Sequence, residues 1–125
     1  MTDDITVYYA ELDQENYVLR VICVNKNFCL NENGVFDETL GSEWCKNNLN
    51  GVRWIQTSYT GEFRKNYAGI GDYYDEEKNA FITPKLYDNW IFDEETCKWI
   101  PPIPKPNSGK YVWDQELTKW VNLLE

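Results

Sequence analysis

The feature that most constrains the fold is a ten-residue pattern that occurs three times, at 73–82, 91–100 and 112–121. In each copy an aromatic residue precedes an Asp, and six residues after that Asp comes Phe or Trp, followed by a β-branched residue. The three Asp residues are spaced 18 and 21 positions apart. Strand-forming residues on both sides of a polar, Asp-led middle predict a β-hairpin. The sequence therefore predicts three hairpins in tandem.

The two aromatic positions of each copy are expected to face each other across their hairpin. The predicted pairs are Tyr74 with Phe81, Phe92 with Trp99, and Trp113 with Trp120. Such cross-strand pairs stabilise a sheet by roughly 0.2–1 kcal/mol each. An isolated hairpin is only marginally stable in water, so each aromatic face needs a neighbour to cover it.

The N-terminal half predicts further strands and one helix. Strand-forming runs surround a polar quartet within 5–24, which indicates an opening hairpin, and 52–59 reads as a strand. Asp37 is a suitable N-cap for a short helix over 37–48, although Gly41 costs about 1 kcal/mol relative to Ala. Its apolar face would contain Leu40, Trp44, Cys45 and Leu49. The predicted fold class is mainly β, with tandem β-hairpins and one short α-helix.

The repeats suggest two regions. Residues 1–72 are predicted to form a β-rich domain with one short helix, and residues 73–125 to form the three aromatic hairpins. A segment with four prolines within 101–106 joins the second hairpin to the third. Such a segment adopts an extended polyproline conformation. We expect it to lie as a strap across the chain's own aromatic residues; the alternative is a ligand for a proline-recognising module.

Composition argues against several classes of partner. The net charge is −9, from 21 acidic and 12 basic residues. Nucleic-acid binding requires clustered Lys and Arg to replace counterions, so no nucleic-acid partner is expected. Anionic membranes are disfavoured for the same reason, and no apolar run approaches the ~20 residues that a membrane span needs. The acidic start of the chain, 1–4, does not resemble a signal peptide.

The residue types also argue against catalysis and cofactors. The chain has no His, which excludes nucleophilic triads in their usual form. Its cysteines lack the two close pairs of a zinc site, so free and mostly buried thiols are expected: Cys23, Cys29, Cys45 and Cys97. The repeated aspartates, Asp75, Asp93 and Asp114, suit turns because an Asp carboxylate accepts backbone N–H bonds there. We therefore expect a protein that is not an enzyme and holds no metal or cofactor.

Several specific phrases resemble small proteins of marine tailed bacteriophages, including those of cyanobacteria. The phrases are Phe-Asp-Glu-Thr-Leu-Gly at 36–41 with Trp44-Cys45, Trp-Ile-Gln-Thr-Ser-Tyr at 54–59, Asn-Tyr-Ala-Gly-Ile-Gly at 66–71, and the aromatic repeats at 90–99 and 111–114. This resemblance implies a phage-encoded, virion-associated protein and carries over no catalytic residue. The expected function is a non-enzymatic structural or decorating subunit of the head, neck or tail. Such a subunit would be located in the virion after assembly in the host cytoplasm.

Partner contacts are expected to concentrate in 90–121, the region that is richest in Trp, where four of the six tryptophans lie. Large exposed apolar patches usually mark interaction surfaces. The candidate partner-binding residues are Trp90, Phe92, Trp99, Trp113 and Trp120. The expected partners are other virion proteins or identical copies of the chain. Two alternatives stay open: a receptor- or glycan-binding accessory that uses exposed tryptophans, and an early phage protein that binds a host protein through its acidic surface.

Overall fold

A computed structural model of the chain describes residues 5–123, which contain nine strands, one α-helix and one 3-10 turn. The strands are β1 (Thr6–Leu12), β2 (Val18–Asn25), β3 (Arg53–Thr57), β4 (Tyr73–Asp75), β5 (Ala80–Ile82), β6 (Ile91–Asp93), β7 (Lys98–Ile100), β8 (Tyr111–Asp114) and β9 (Lys119–Asn122). Helix α1 is Glu38–Leu49, and the 3-10 turn is Lys26–Cys29. The predicted class, mainly β with hairpins and one short helix, is confirmed. Within the described residues no helix is long and apolar enough to cross a membrane.

The first three strands form an antiparallel sheet in the order β2-β1-β3. The predicted opening hairpin is β1 with β2. Their register pairs Glu11 with Arg20 but Leu12 with Val18, so Leu19 is the extra residue of a β-bulge. The predicted strand at 52–59 is observed as β3, on the other side of β1.

The central strand β1 contributes to a hydrophobic core on each face of this sheet, because successive side chains point to opposite faces. On one face Tyr9 packs in a hydrophobic cluster with residues from β2, the 3-10 turn, α1 and β3, which are Val24, Cys29, Cys45 and Trp54 respectively. On the other face Ala10 and Leu12 pack with residues that include Tyr74 and Phe81 of the first repeat. The sheet therefore lies between α1 and the first hairpin.

Helix α1 begins and ends as the sequence predicts. The Asp37 carboxylate accepts a hydrogen bond from the Thr39 N–H at 2.9 Å, which is the usual role of an Asp N-cap. The helix ends at Asn50, which has a φ of 66°. Gly41 lies inside the helix because α1 approaches Tyr9 closely there. A Cβ atom on Gly41 would lie 2.1 Å from the Tyr9 hydroxyl oxygen and 2.8 Å from the Cys29 sulfur.

The chain divides into two compact units, Met1–Pro84 and Lys85–Glu125, called here the N-terminal and C-terminal units. This division differs from the boundary at 72/73 that the repeats suggest. The first hairpin, β4–β5, belongs to the N-terminal unit because Tyr74 and Phe81 are buried in one of its cores. The Asn66 side-chain amide also donates to the Phe81 carbonyl. The C-terminal unit contains the second hairpin, β6–β7, and the third, β8–β9.

Candidate interaction surface in the C-terminal unit

All three repeats are hairpins with the same four-residue loop. The strand pairs close at Asp75 with Ala80, Asp93 with Lys98, and Asp114 with Lys119. The last loop residue has a positive φ in every copy: 50° at Asn79, 56° at Cys97 and 51° at Thr118. The length of the ten-residue pattern is therefore set by one turn geometry, which explains why each aromatic residue comes six positions after its Asp.

The repeated aspartates hold these turns. Each carboxylate accepts a hydrogen bond from a backbone N–H of its own loop. The bonds are Lys78 N–H to Asp75 at 3.1 Å, Glu95 N–H to Asp93 at 2.9 Å, and Leu117 N–H to Asp114 at 3.0 Å. The predicted turn role of these residues is confirmed. The carboxylates recur because the turn requires an acceptor at that position.

The predicted aromatic pairs are also confirmed. In each hairpin the two rings are register partners, with centroids 5.0 Å apart for Tyr74 and Phe81, 5.1 Å for Phe92 and Trp99, and 5.3 Å for Trp113 and Trp120. These distances fall within the range that favours edge-to-face and tilted ring contacts.

Several aromatic rings of the C-terminal unit pack against one another, and one of them is buried. Trp90 lies 5.7 Å from Trp113, 6.1 Å from Trp120 and 5.1 Å from Tyr87, measured between ring centroids. Trp113 is only 6% exposed. The indole N–H of Trp120 donates to the Ile103 carbonyl at 2.8 Å. The proline-rich segment thus contacts the unit's own aromatic residues, as the strap interpretation predicts.

The structure brings together three of the five candidate partner-binding residues, Trp90, Trp113 and Trp120. The other two, Phe92 and Trp99, form a separate pair, and the Lys85 ammonium lies 5.4 Å from the centre of the Trp99 ring. Trp113 is buried, whereas the other four are half-buried. Much of their aromatic surface is therefore covered by contacts within the unit. Whether these residues bind a partner stays a prediction.

The outward faces of the two hairpins carry residues that the sequence did not single out. Side chains alternate along a strand, so the neighbours of each aromatic residue lie on the opposite face. There Ile91 faces Ile100 in the second hairpin, and Val112 faces Val121 in the third. Ile91 is 67% exposed, Ile100 44% and Val112 46%, and Val121 is half-buried. The β-branched residues beside each aromatic position were the signal for this surface.

An oppositely charged pair follows each β-branched pair on the same face. Asp93 faces Lys98 beside Ile91 and Ile100, and Asp114 faces Lys119 in the equivalent place of the third hairpin. We call the four residues Ile91, Ile100, Val112 and Val121 the β-branched face. In both hairpins this face is an apolar patch bordered by charge.

A recess of about 250 Å³ lies beside the third hairpin, lined by Tyr111, Lys119, Trp120, Val121 and Asn122. Elsewhere in the C-terminal unit, the indole N–H of Trp90 and the side-chain oxygen of Asn89 are buried without a hydrogen-bond partner among residues 5–123. The recess offers aromatic rings, one amide and one ammonium group.

Three of the four cysteines are buried, as predicted, and Cys23 is exposed; no disulfide joins any two of them. Within the described part of the chain no group of three or more Cys, Asp or Glu residues is arranged to hold a metal ion. No protein-family model, curated protein or solved structure shows significant similarity to this chain.

Proposed function

We propose that this chain is a non-enzymatic structural or decorating subunit of a bacteriophage particle, and that it contacts neighbouring virion proteins through its C-terminal hairpins. The observation that carries the proposal is the two-sided construction of these hairpins. Their aromatic pairs pack inside the unit, while three of the four residues of the β-branched face are exposed. Exposed apolar surface that borders charged residues is typical of a protein–protein interface.

The size of the apolar surface supports a binding role. Fully burying an Ile side chain contributes about 1.5–3 kcal/mol, and Ile91 and Ile100 are exposed enough to contribute a large part of that on binding. The strand register already fixes the backbone of each pair, so little backbone conformational freedom is lost when a partner binds. The assignment to a phage particle rests on the resemblance of the phrases at 54–59, 66–71 and 90–99 to small proteins of marine tailed phages.

Mass spectrometry of purified virions tests the proposal directly. We expect the chain to co-purify with intact particles and to be made late in infection, together with other virion proteins. If intact particles lack the chain, it is not a virion subunit.

A pair of matched variants tests the surface. The double substitution Ile91→Thr/Ile100→Thr keeps β-branched residues in the strands but removes apolar surface. Its incorporation into particles should fall about tenfold or more, because at least about 1.4 kcal/mol of binding free energy is lost. Val35→Thr makes the same kind of change at an exposed position of the N-terminal unit and should leave incorporation unchanged. Equal incorporation of both variants would show that the β-branched face is not the contact.

Glycan binding is a second candidate function, and the recess beside Trp120 favours it. Aromatic rings stack on the apolar faces of sugars, and the Lys119 ammonium group in the lining offers hydrogen-bond donors. A glycan array followed by a tryptophan-fluorescence titration would detect this activity, and Trp120→Ala should abolish it. Expression early in infection, with no particle association, would instead favour a protein that binds a host protein.

A further inference from the structure

Among residues 5–123, β2 pairs only with β1, so within this part of the chain the outer edge of the three-stranded sheet is open along part of β2. At one end of this strand the Lys26 N–H donates to the Ile5 carbonyl at 2.7 Å, so Lys26 is directed toward β1. Backbone groups alternate in direction along a strand. Val21 and Cys23 therefore direct their N–H and C=O groups away from β1. No residue in 5–123 supplies these groups with a backbone partner.

The other end of β2 is closed by the chain itself. The Val18 N–H donates to the Asp72 carbonyl, and the Gly71 N–H donates to the Val18 carbonyl, both at 2.8 Å. The bulge at Leu19 turns Val18 outward, because the extra residue reverses the alternation. The open part of the edge is thus limited to 21–25.

This open segment lacks the residues that usually protect an edge strand. Its sequence, Val-Ile-Cys-Val-Asn, contains no charged residue and no proline. Cys23 is exposed at its centre. On the same face of the sheet Cys23 is the register partner of Tyr8, whose ring contacts Tyr59 at 5.6 Å and Tyr67 at 5.7 Å between centroids. Tyr59 is largely exposed, so an aromatic surface continues from the open edge.

We propose that two copies of this chain pair through 21–25 as antiparallel strands, with a two-fold axis at Cys23. The two three-stranded sheets would then form one six-stranded sheet. This register places Cys23 opposite Cys23 of the second copy and Val21 opposite Asn25 of the second copy. It supplies about four backbone hydrogen bonds across the axis, because the Asn25 carbonyl is already used as the N-cap of the 3-10 turn. An isologous contact of this kind closes at the dimer.

A second copy fits this edge because the segment is complementary to itself. No charges face each other between Val21 and Asn25, and the next pair outward would be Arg20 with Lys26 of the second copy. The Arg20 Nε lies 2.6 Å from the Glu11 carboxylate of its own copy. This ion pair reduces the repulsion between Arg20 and Lys26 of the second copy. Because only five residues of each copy pair, we expect a contact below the ~1,200 Å² of a standard stable interface and therefore a weak, concentration-dependent dimer.

Two variants that introduce opposite charges at position 23 test both the dimer and the position of its two-fold axis. We expect the mass of the full chain in sedimentation equilibrium to approach that of two chains at several hundred micromolar. Cys23→Lys and Cys23→Glu should each weaken association tenfold or more, because each places like charges opposite each other. An equimolar mixture of the two variants should restore the dimer. The control variant Leu19→Lys changes an exposed residue outside the open segment and should dimerise as strongly as the wild-type chain.

Several results would overturn the proposal. A monomer mass at every concentration would exclude the dimer. If the mixture of Cys23→Lys and Cys23→Glu stays monomeric, residue 23 is not at the axis. If Cys23→Lys associates more strongly than the wild-type chain, general repulsion between acidic chains governs association instead. Far-UV circular dichroism of each variant verifies that the sheet is retained.

Discussion

Replacing Gly41 with Ala tests the close contact between α1 and the central strand. The added Cβ atom would lie 2.1 Å from the Tyr9 hydroxyl oxygen and 2.4 Å from the ring carbon that carries it. Ordinary contacts between such atoms are about 3.5 Å or longer, so the ring or the helix would have to move by roughly 1 Å or more. Tyr9 is fully buried, which leaves it no open space to enter.

The magnitude follows from two opposing effects. Ala gains about 1 kcal/mol over Gly inside a helix. Overpacking a buried site costs about 1–3 kcal/mol. Moving the ring also weakens the hydrogen bond from the Tyr9 hydroxyl to the Glu38 carbonyl, which is 2.9 Å long, and a buried unsatisfied polar group costs about 1–3 kcal/mol. We expect a net loss of about 2 kcal/mol in the free energy of unfolding, as the difference between these gains and costs.

Urea unfolding followed by circular dichroism measures this loss, provided that the slope of the transition stays constant. Asn47→Ala, at an exposed position of the same helix, is the control and should stabilise by a few tenths of a kcal/mol. In a Tyr9→Leu background, Gly41→Ala should lose the larger part of its effect, because the two closest atoms are gone and only the Cys29 sulfur, at 2.8 Å from the added Cβ atom, stays close. If Gly41→Ala stabilises the wild-type chain as Asn47→Ala does, the close approach to Tyr9 does not exist.

Three further predictions concern single side chains. Thr118→Asn should stabilise the third hairpin by about 0.5–1 kcal/mol in thermal unfolding, because Asn tolerates a positive φ better than a β-branched residue; no gain would contradict the turn geometry. Burial raises the pKa of Asp72, so the free energy of unfolding of the wild-type chain should decrease as the pH rises through that pKa. In urea titrations Asp72→Asn should remove this decrease, and the pH dependence of the two unfolding free energies should converge below about pH 4. Burial also raises the pKa of the Cys45 thiol to about 11, so iodoacetamide at about pH 8 should label the exposed Cys23 first, and rapid labelling of Cys45 in the folded chain would refute its burial.

Local features were predictable from the sequence because each is determined within one short segment. The spacing of Asp93 and Trp99 fixes the turn and the ring pair, and the carboxylate of Asp37 fixes the start of the helix. Features that depend on distant contacts were not predictable. The first hairpin has the same phrase as the others, and only the packing of Tyr74 and Phe81 against β1 assigns it to the N-terminal unit.

The same limit applies to the candidate surface. Alternation along a strand shows that Ile91 and Phe92 lie on opposite faces, but it does not show which face the rest of the unit covers. The aromatic residues were predicted to bind partners because rings are large and often lie at interfaces. In the C-terminal unit Trp113 is in the interior, and the smaller Ile91 is exposed. Gly41 likewise lowers the helix propensity of its segment, and only the close approach of Tyr9, which leaves no room for a Cβ atom, explains its presence.

The assignment of the first hairpin to the N-terminal unit has a consequence for how such a protein can change in length during evolution. Every residue in the two cores of that unit precedes Pro84. Duplication or deletion of a whole later repeat therefore leaves both cores complete. Loss of the first repeat would instead remove Tyr74 and Phe81 and uncover one face of the sheet. The copy at 73–82 is thus required by the cores of the N-terminal unit, whereas gain or loss of a later copy leaves those two cores unchanged.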